Sequence, residues 1–214
     1  MIHPLIGGDG IDALAFQQTL WVLSTHDEIG GPLDTLPSKA SSYFESWKSE
    51  LESRRDYTVT SQMDRGAPYW VIGNVSSRQT NSKVAWQKIA KTVETVYLPS
   101  KVDTEVGERT LIVTSNVNFL ATPNDDVAAG LTGLLNSTPS KVFTGSYVNR
   151  TGAKYCAYFN WTIGLIPLPE DITDISEITR KVQEGDQSED ELDEEVASLY
   201  EISDEQLEAM KEYD

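Results

Sequence analysis

The sequence predicts an α+β protein in which an antiparallel β-sheet is followed by amphipathic helices and an acidic helical C-terminal tail. Three observations predict this class. From Asp56 onward, several segments alternate apolar and polar residues with the period of two that is typical of strands. The stretch 109–137 changes from that period to a helical one with almost no linker. Residues 169–214 carry 3 Lys and Arg against 18 Asp and Glu, and they contain two helix-start signatures.

The charge of the chain is divided unevenly. Almost all of the net charge of −17 comes from residues 169–214, because residues 1–168 carry 14 Lys and Arg against 16 Asp and Glu. We therefore predict two domains, a β-sheet domain with helix over 1–168 and an acidic helical tail over 169–214. A nearly neutral sheet domain can bind nucleic acid, whereas a uniformly acidic protein would repel it.

The first half of the chain is predicted from its turn residues and its alternation. Pro4 and the glycines between residues 7 and 10 predict an irregular arm over 1–15. Residues 39–55 predict a short helical connector, because large apolar residues recur there at helical spacing. Strands are predicted at Phe16–Ser24, Tyr57–Met63, Pro68–Gln79, Lys83–Tyr97 and Arg109–Leu120.

The last of these strands has two different faces, one apolar and one polar but uncharged. The apolar face consists of Leu111, Val113, Val117 and Phe119, and the polar face includes Thr114, Asn116 and Asn118. This pattern is typical of an antiparallel strand that is covered on one side only.

A helix is predicted directly after this strand. Thr122 suits the N-cap and Pro123 suits the first helical position. Apolar residues follow on one side of the helix at Val127, Leu131, Leu134 and Leu135. Gly130 and Gly133 weaken the helix by about 1 kcal/mol each relative to Ala, and they let another backbone or an aromatic ring come close. A helix of such low propensity needs a surface to lie on, and that surface can belong to a second subunit.

The tail is predicted to form two short acidic amphipathic helices. Ser188 with Glu191 and Ser203 with Gln206 both match the capping-box pattern of a helix start. The apolar residues behind the first of them, Leu192, Val196, Leu199 and Tyr200, lie on one helical face.

No side chains form a recognisable catalytic or metal-binding pattern. His3 and His26 lack a second ligand at metal-binding spacing, and the glycines near residue 8 lack the Gly-Lys-Ser/Thr of a phosphate loop. Cys156 is the only cysteine and is interpreted as a packing residue. We therefore predict a protein that is not an enzyme and uses no cofactor or metal. No apolar run of about 18 residues is present, so no membrane partner is predicted.

A polar sheet face is the candidate binding surface. Lys83, Gln87 and Lys91 share one side of their strand, and Thr114 and Asn116 project from the polar face of theirs. Hydroxyls, amides and a few cations on a flat sheet suit single-stranded RNA, whose phosphates and splayed bases need such donors. A solvated sheet face with ordinary surface lysines is the alternative interpretation.

Four segments carry a resemblance to a known family. In chain order they are LPSKASSYFESWKSELESRRDYTVTSQM, SSRQTNSKVAWQKIAK, ETVYLPSKVDTEVGERTLIV and ATPNDDVAAGLTGLLNSTPS. They read as a turn, connector and strand, then a central hairpin, a long connection and the start of a helix. This order resembles that of the coat proteins of single-stranded RNA bacteriophages, the levivirus-like group, over about Leu20 to Tyr147.

The resemblance implies a fold, an assembly and a ligand. In that family two subunits join their sheets, and each subunit's helices cover the partner's sheet. It implies an intertwined homodimer with an interface at Val127, Leu131, Leu134 and Leu135. It further implies an icosahedral shell that encloses RNA bound at Lys83, Gln87, Lys91, Thr114 and Asn116. The protein would then be a capsid protein of the virion, assembled in the host cytoplasm.

A second interpretation needs no virus. The β-rich region would be a scaffold, and the acidic tail helices would dock a partner with a basic or apolar groove. The sequence leaves both interpretations open.

Overall fold

The computed structural model describes residues 1–18, 20–73, 75, 77–152 and 154–212. It confirms a mixed α+β architecture with small, mainly antiparallel sheets. The strands are β1 (Ile2–Ile6), β2 (Ile11–Asp12), β3 (Ala15–Phe16), β4 (Leu20–Leu23), β5 (Lys83–Gln87), β6 (Ile89–Ala90), β7 (Thr95–Leu98), β8 (Lys101–Val102), β9 (Arg109–Thr110), β10 (Ile112–Val113), β11 (Val117–Ala121), β12 (Asn149–Arg150) and β13 (Cys156–Ala157). The helices are α1 (Ser38–Glu45), α2 (Lys48–Glu52), α3 (Tyr57–Met63), α4 (Asp125–Asn136), α5 (Thr138–Gly145), α6 (Asn160–Ile163), α7 (Thr173–Glu184), α8 (Glu189–Leu199) and α9 (Asp204–Lys211).

Three three-stranded sheets replace the single sheet that the sequence predicts. Their strand orders are β10-β1-β4, β11-β5-β7 and β12-β13-β6. In the first, β1 is parallel to β10 and antiparallel to β4. The second is antiparallel throughout, with Trp86 of β5 opposite Asn118 on one side and opposite Thr95 on the other. Strand β5 is therefore a central strand.

Helix α4 is the centre of the main hydrophobic core. It contacts β5 and β7 of the second sheet, and α7 packs along it. The side chain of Asn136 at its end donates to the carbonyl of Thr95 (2.7 Å) and accepts from the same residue's N–H (2.9 Å), which ties α4 to β7. The cluster includes Val84, Trp86, Ala128, Leu131, Leu134, Leu135, Tyr158, Ile175, Leu192 and Val196.

The two glycines of α4 allow α7 to lie close to it, as the sequence suggested for an approaching backbone. A Cβ on Gly130 would lie 2.9 Å from the carbonyl oxygen of Ile172, and one on Gly133 would lie 1.9 Å from Oγ1 of Thr179. Real Cβ atoms do not approach other atoms so closely, so only glycine fits at these contacts.

The tail is helical and belongs to the same core. Both predicted capping boxes are confirmed, at the starts of α8 and α9. Helix α7 was not predicted from the sequence. It ends at Gly185, which has the left-handed conformation (φ 82°). Ile175 of α7 and Leu192 of α8 are fully buried in the main cluster. Residue 168 thus marks a change of charge, while the hydrophobic core extends on both sides of it.

Two predicted strands are wrong. Tyr57–Met63 is helix α3, because the Asp56 carboxylate accepts the N–H groups of Thr58 (2.9 Å) and Val59 (3.2 Å) and caps a helix there. The predicted strand Pro68–Gln79 contains no strand in its described residues, which exclude 74 and 76. Residues 1–15, predicted to be irregular, contribute β1 and β2.

Two other strands are shorter than predicted. Lys83–Tyr97 is divided among β5, β6 and β7, and Arg109–Leu120 among β9, β10 and β11. The helix after β11 begins at Asp125 with Asn124 as its N-cap, two residues later than the predicted cap Thr122. The Asn124 side chain accepts the N–H of Val127 at 2.9 Å. None of the described helices combines the length and apolar character needed to cross a membrane.

Candidate assembly surface

The predicted dimer face of α4 is covered by its own chain. Leu134 is completely buried, Leu135 and Leu131 are 2% and 7% exposed, and Val127 is half-buried. The sheet strands β5 and β7 and helix α7 provide the cover. The expectation that this covering surface belongs to a second subunit is corrected, because α4 packs on the unpredicted α7 of its own chain.

The predicted RNA face does not exist as one open surface. Lys83 is completely buried, and its Nζ donates to the carbonyl of Leu111 at 3.1 Å. Burial lowers the pKa of this lysine to about 8. The placement of Lys83 on an open sheet face is therefore wrong, since β5 is central and its neighbouring residues Val84 and Trp86 are buried as well.

Of the other four predicted RNA-binding residues, Gln87, Thr114 and Asn116 lie near one another and Lys91 lies apart from them. Gln87 is half-buried and its Nε2 donates to the carbonyl of Ile11 at 3.2 Å. The half-buried Thr114 donates its hydroxyl to the side-chain oxygen of the exposed Asn116. Lys91 is exposed, but it lies in the bend after β6 and not on the strand that carries Gln87.

Large apolar side chains are exposed at many places. Three of the five tryptophans are among them: Trp21 is 41% exposed, Trp47 50% and Trp161 54%. Isolated exposed leucines are normal on a monomer, but tryptophan is among the most buried residue types on average. Exposed tryptophans are typical of surfaces that contact another protein.

One of these sites is a sheet edge. In the described part of the chain β4 is the terminal strand of its sheet, paired only with β1. Leu20 (54% exposed) and Trp21 are consecutive, so their side chains point to opposite faces of the sheet. Both faces of β4 are thus accessible at this point, and no other strand of the described chain pairs with its outer edge. We call this region the β4 edge, defined by Leu20–Leu23.

A second apolar site surrounds the short helix α6. Phe159 (43%), Trp161, Leu165 (55%) and Leu168 (63%) are all exposed within ten residues. The run of apolar residues in 20-LWVL-23, with no polar residue to form a solvated face, was the available signal for the β4 edge.

The comparisons with known proteins leave the family open. No family model matches the chain, and no curated protein matches it. Among the described residues no group of three or more His, Cys, Asp or Glu side chains could hold a metal ion.

Proposed function

We propose that the protein is a non-enzymatic structural protein that assembles with copies of itself, as the coat protein of a single-stranded RNA virus does. The exposure of Trp21, Trp47 and Trp161 supports this proposal. An aromatic side chain buries roughly 150–250 Å², so about half of that area remains open on each tryptophan. Covering it would stabilise a complex by about 2–3 kcal/mol per tryptophan at ~25 cal/mol per Å².

The first contact of the assembly is the β4 edge. An unpaired terminal strand presents a row of backbone N–H and C=O groups that another strand can pair with. Two copies of β4 in antiparallel pairing would join two three-stranded sheets into one of six strands. The same patch would then contact itself across a two-fold axis, which closes the dimer. This arrangement keeps the joined sheets of the levivirus-like coats without exchanging α4.

The later contacts of a shell would use the apolar site around α6 and the exposed Trp47 of the segment between α1 and α2. These sites lie on different elements from β4, and a shell needs contacts beyond the dimer interface. Single-stranded RNA would meet the inner surface, with Lys91 and Asn116 as the exposed members of the predicted set. The acidic tail would face away from the RNA, because carboxylates repel phosphates.

The test is the size of the particle in solution. Size-exclusion chromatography with light scattering should give a dimer or a larger species, well above the 23.8 kDa of one chain. Negative-stain microscopy then detects closed shells. Trp21→Lys should shift the protein toward the monomer, because it places a charge on the β4 edge. Val106→Lys, at another exposed apolar residue (47%), adds the same charge and should leave the size unchanged.

A wild-type protein that stays at the mass of one chain at every concentration would refute self-assembly. That result would favour the interaction module, for which α8 offers a specific feature. Its exposed side includes Glu189, Asp190, Glu191 and Glu194, a surface that suits a basic partner.

A further inference from the structure

One cavity of the molecule is lined by positive charge. It is an open cleft of about 440 Å³, and Lys91, Lys141, Arg150 and Lys211 line it together with Cys156 and Tyr158. We call it the cationic cleft. The whole chain has 17 Lys and Arg and a net charge of −17. The four cations around this cleft therefore form a positively charged site on a protein whose net charge is negative.

Different elements bring these cations together. Lys91 lies in the bend after β6, Lys141 on α5, Arg150 on β12 and Lys211 at the end of α9. The third sheet fixes part of the arrangement, because Arg150 pairs with Cys156 and Cys156 pairs with Ala90, the residue before Lys91. Directly opposite residues of an antiparallel pair share one face of the sheet. Arg150 and Cys156 therefore face the same side.

Carboxylates neutralise only part of the positive charge in the cleft. Among the described residues Lys91, Lys141 and Arg150 form no ion pair, whereas Lys211 pairs with Asp190 (2.8 Å) and Glu208 (3.1 Å). The buried Asp193 is nearby, since it accepts the N–H and the hydroxyl of the cleft residue Thr138, both at 2.6 Å. Cations that face one small space repel one another, and a bound anion would relieve that repulsion.

The uncharged residues of the cleft indicate which class of anion it can bind. Val148, Tyr158 and Met210 contribute apolar surface, and Thr92 and Thr138 contribute hydroxyl groups. The volume is in the range of small-molecule sites. Lys and Arg are the preferred donors for phosphate oxygens. We propose that the cationic cleft binds a nucleotide, with the phosphate on Lys141 and Arg150 and the base against the apolar wall.

The nucleotide can be free or can be one unit of single-stranded RNA. In the first case the site is a ligand site independent of self-assembly. In the second case the inference rests on the proposed coat function and places Lys91 of the predicted RNA-binding set beside Lys141, Arg150 and Lys211. The assay below needs only dissolved protein and does not depend on its assembly state, so binding can fail while assembly succeeds, and the reverse.

The only cysteine provides a reporter inside the cleft. Cys156 is half-buried and free, so a neutral alkylating reagent such as iodoacetamide modifies one site in the whole chain. The rate is measured with increasing inorganic phosphate, uridine monophosphate or an eight-residue oligouridylate. We expect uridine monophosphate to slow alkylation in a saturable way, by at least about fivefold when the site is full.

Two variants test the assignment of the cations. Lys141→Gln with Arg150→Gln should raise the nucleotide concentration for half-protection by at least about tenfold, because each loses a charge-assisted hydrogen bond. Lys39→Gln removes an exposed cation of α1 outside the cleft and should change nothing. Circular dichroism and thermal melting establish that each variant is folded.

The outcomes separate the two sources of the nucleotide and the competing ligand class. Tighter protection by the oligouridylate than by the monophosphate supports the RNA source, and equal or weaker protection supports a free nucleotide. Protection by polyglutamate but not by any phosphate ester overturns the proposal in favour of an acidic peptide. Absence of protection by all the probes, or equal protection in the double variant, overturns it as well.

Discussion

Replacing Gly133 by alanine tests the contact between α4 and α7. An alanine Cβ would lie 1.9 Å from Oγ1 of Thr179, 2.9 Å from Cγ2 of Ile175 and 3.1 Å from Cδ1 of Leu192. The substitution gains about 1 kcal/mol of helix propensity. It also overpacks a closed interface, which costs about 1–3 kcal/mol. Because three atoms on two helices obstruct the new methyl group, we expect the upper end of that range and a net destabilisation of about 2 kcal/mol.

Gly145→Ala is the matched control for that experiment. Gly145 is the last residue of α5, and a Cβ there would have no atom within 4 Å. The same substitution should therefore stabilise the protein by up to about 1 kcal/mol. Urea unfolding followed by circular dichroism measures both variants, and with a slope of about 2 kcal/mol per M the Gly133→Ala midpoint should fall by about 1 M. An increase in both midpoints would refute the close packing of α7 on α4.

Three further predictions concern the buried lysine, the tail and its caps. The pKa of Lys83 is about 8 in the folded protein and 10.5 in the unfolded chain, where the side chain is not buried. The unfolded chain therefore binds more protons between these two pH values, and the free energy of unfolding rises with pH there. Burying the charged lysine therefore lowers the free energy of unfolding by at most about 3 kcal/mol, and the full reduction is present below pH 8. Lys83→Met should lack this dependence on pH. Equal pH profiles of the two proteins from pH 7.5 to 10.5 would contradict the prediction. Ser188→Ala should lower the free energy of unfolding by about 1 kcal/mol because the capping box is lost, while Ser198→Ala inside the same helix should not lower it. A protein consisting of residues 1–168 should lack a cooperative thermal transition and should bind a hydrophobic dye, because its core loses Ile175 and Leu192; a sharp transition with native near-ultraviolet dichroism would show that the sheet domain folds alone.

Local signals were read correctly from the sequence. The capping boxes at Ser188 and Ser203 involve residues only three positions apart, so the pattern determines the structure without help from the rest of the chain. The amphipathic period of α4 was also correct, although its start was placed at Thr122, where a neighbouring Asn124 competes as a cap. Helix α7 had a usable signal as well, with Ile175 and its apolar successors at helical spacing before a terminal glycine.

Non-local features could not be read in the same way. The strand predicted at Tyr57–Met63 is a different kind of error, because its β-branched residues favour a strand while the adjacent Asp56 is a local helix cap that was overlooked. The burial of Lys83 depends on the carbonyl of Leu111, which lies 28 positions away. The cationic cleft combines residues from 91 to 211, so no window of sequence contains it. The open β4 edge likewise depends on which strand ends the sheet, and pairing order is a property of the whole fold.

The burial of α4 has a consequence for synthesis on the ribosome. The apolar face of this glycine-containing helix is buried partly by α7 and α8, which the ribosome synthesises later. Until those segments emerge, the nascent chain exposes part of its hydrophobic core, and neighbouring nascent chains on the same mRNA can contact that surface. Final compaction must therefore wait for the acidic end, and until that end emerges the nearly neutral residues 1–168 carry little net charge to keep unfinished molecules apart.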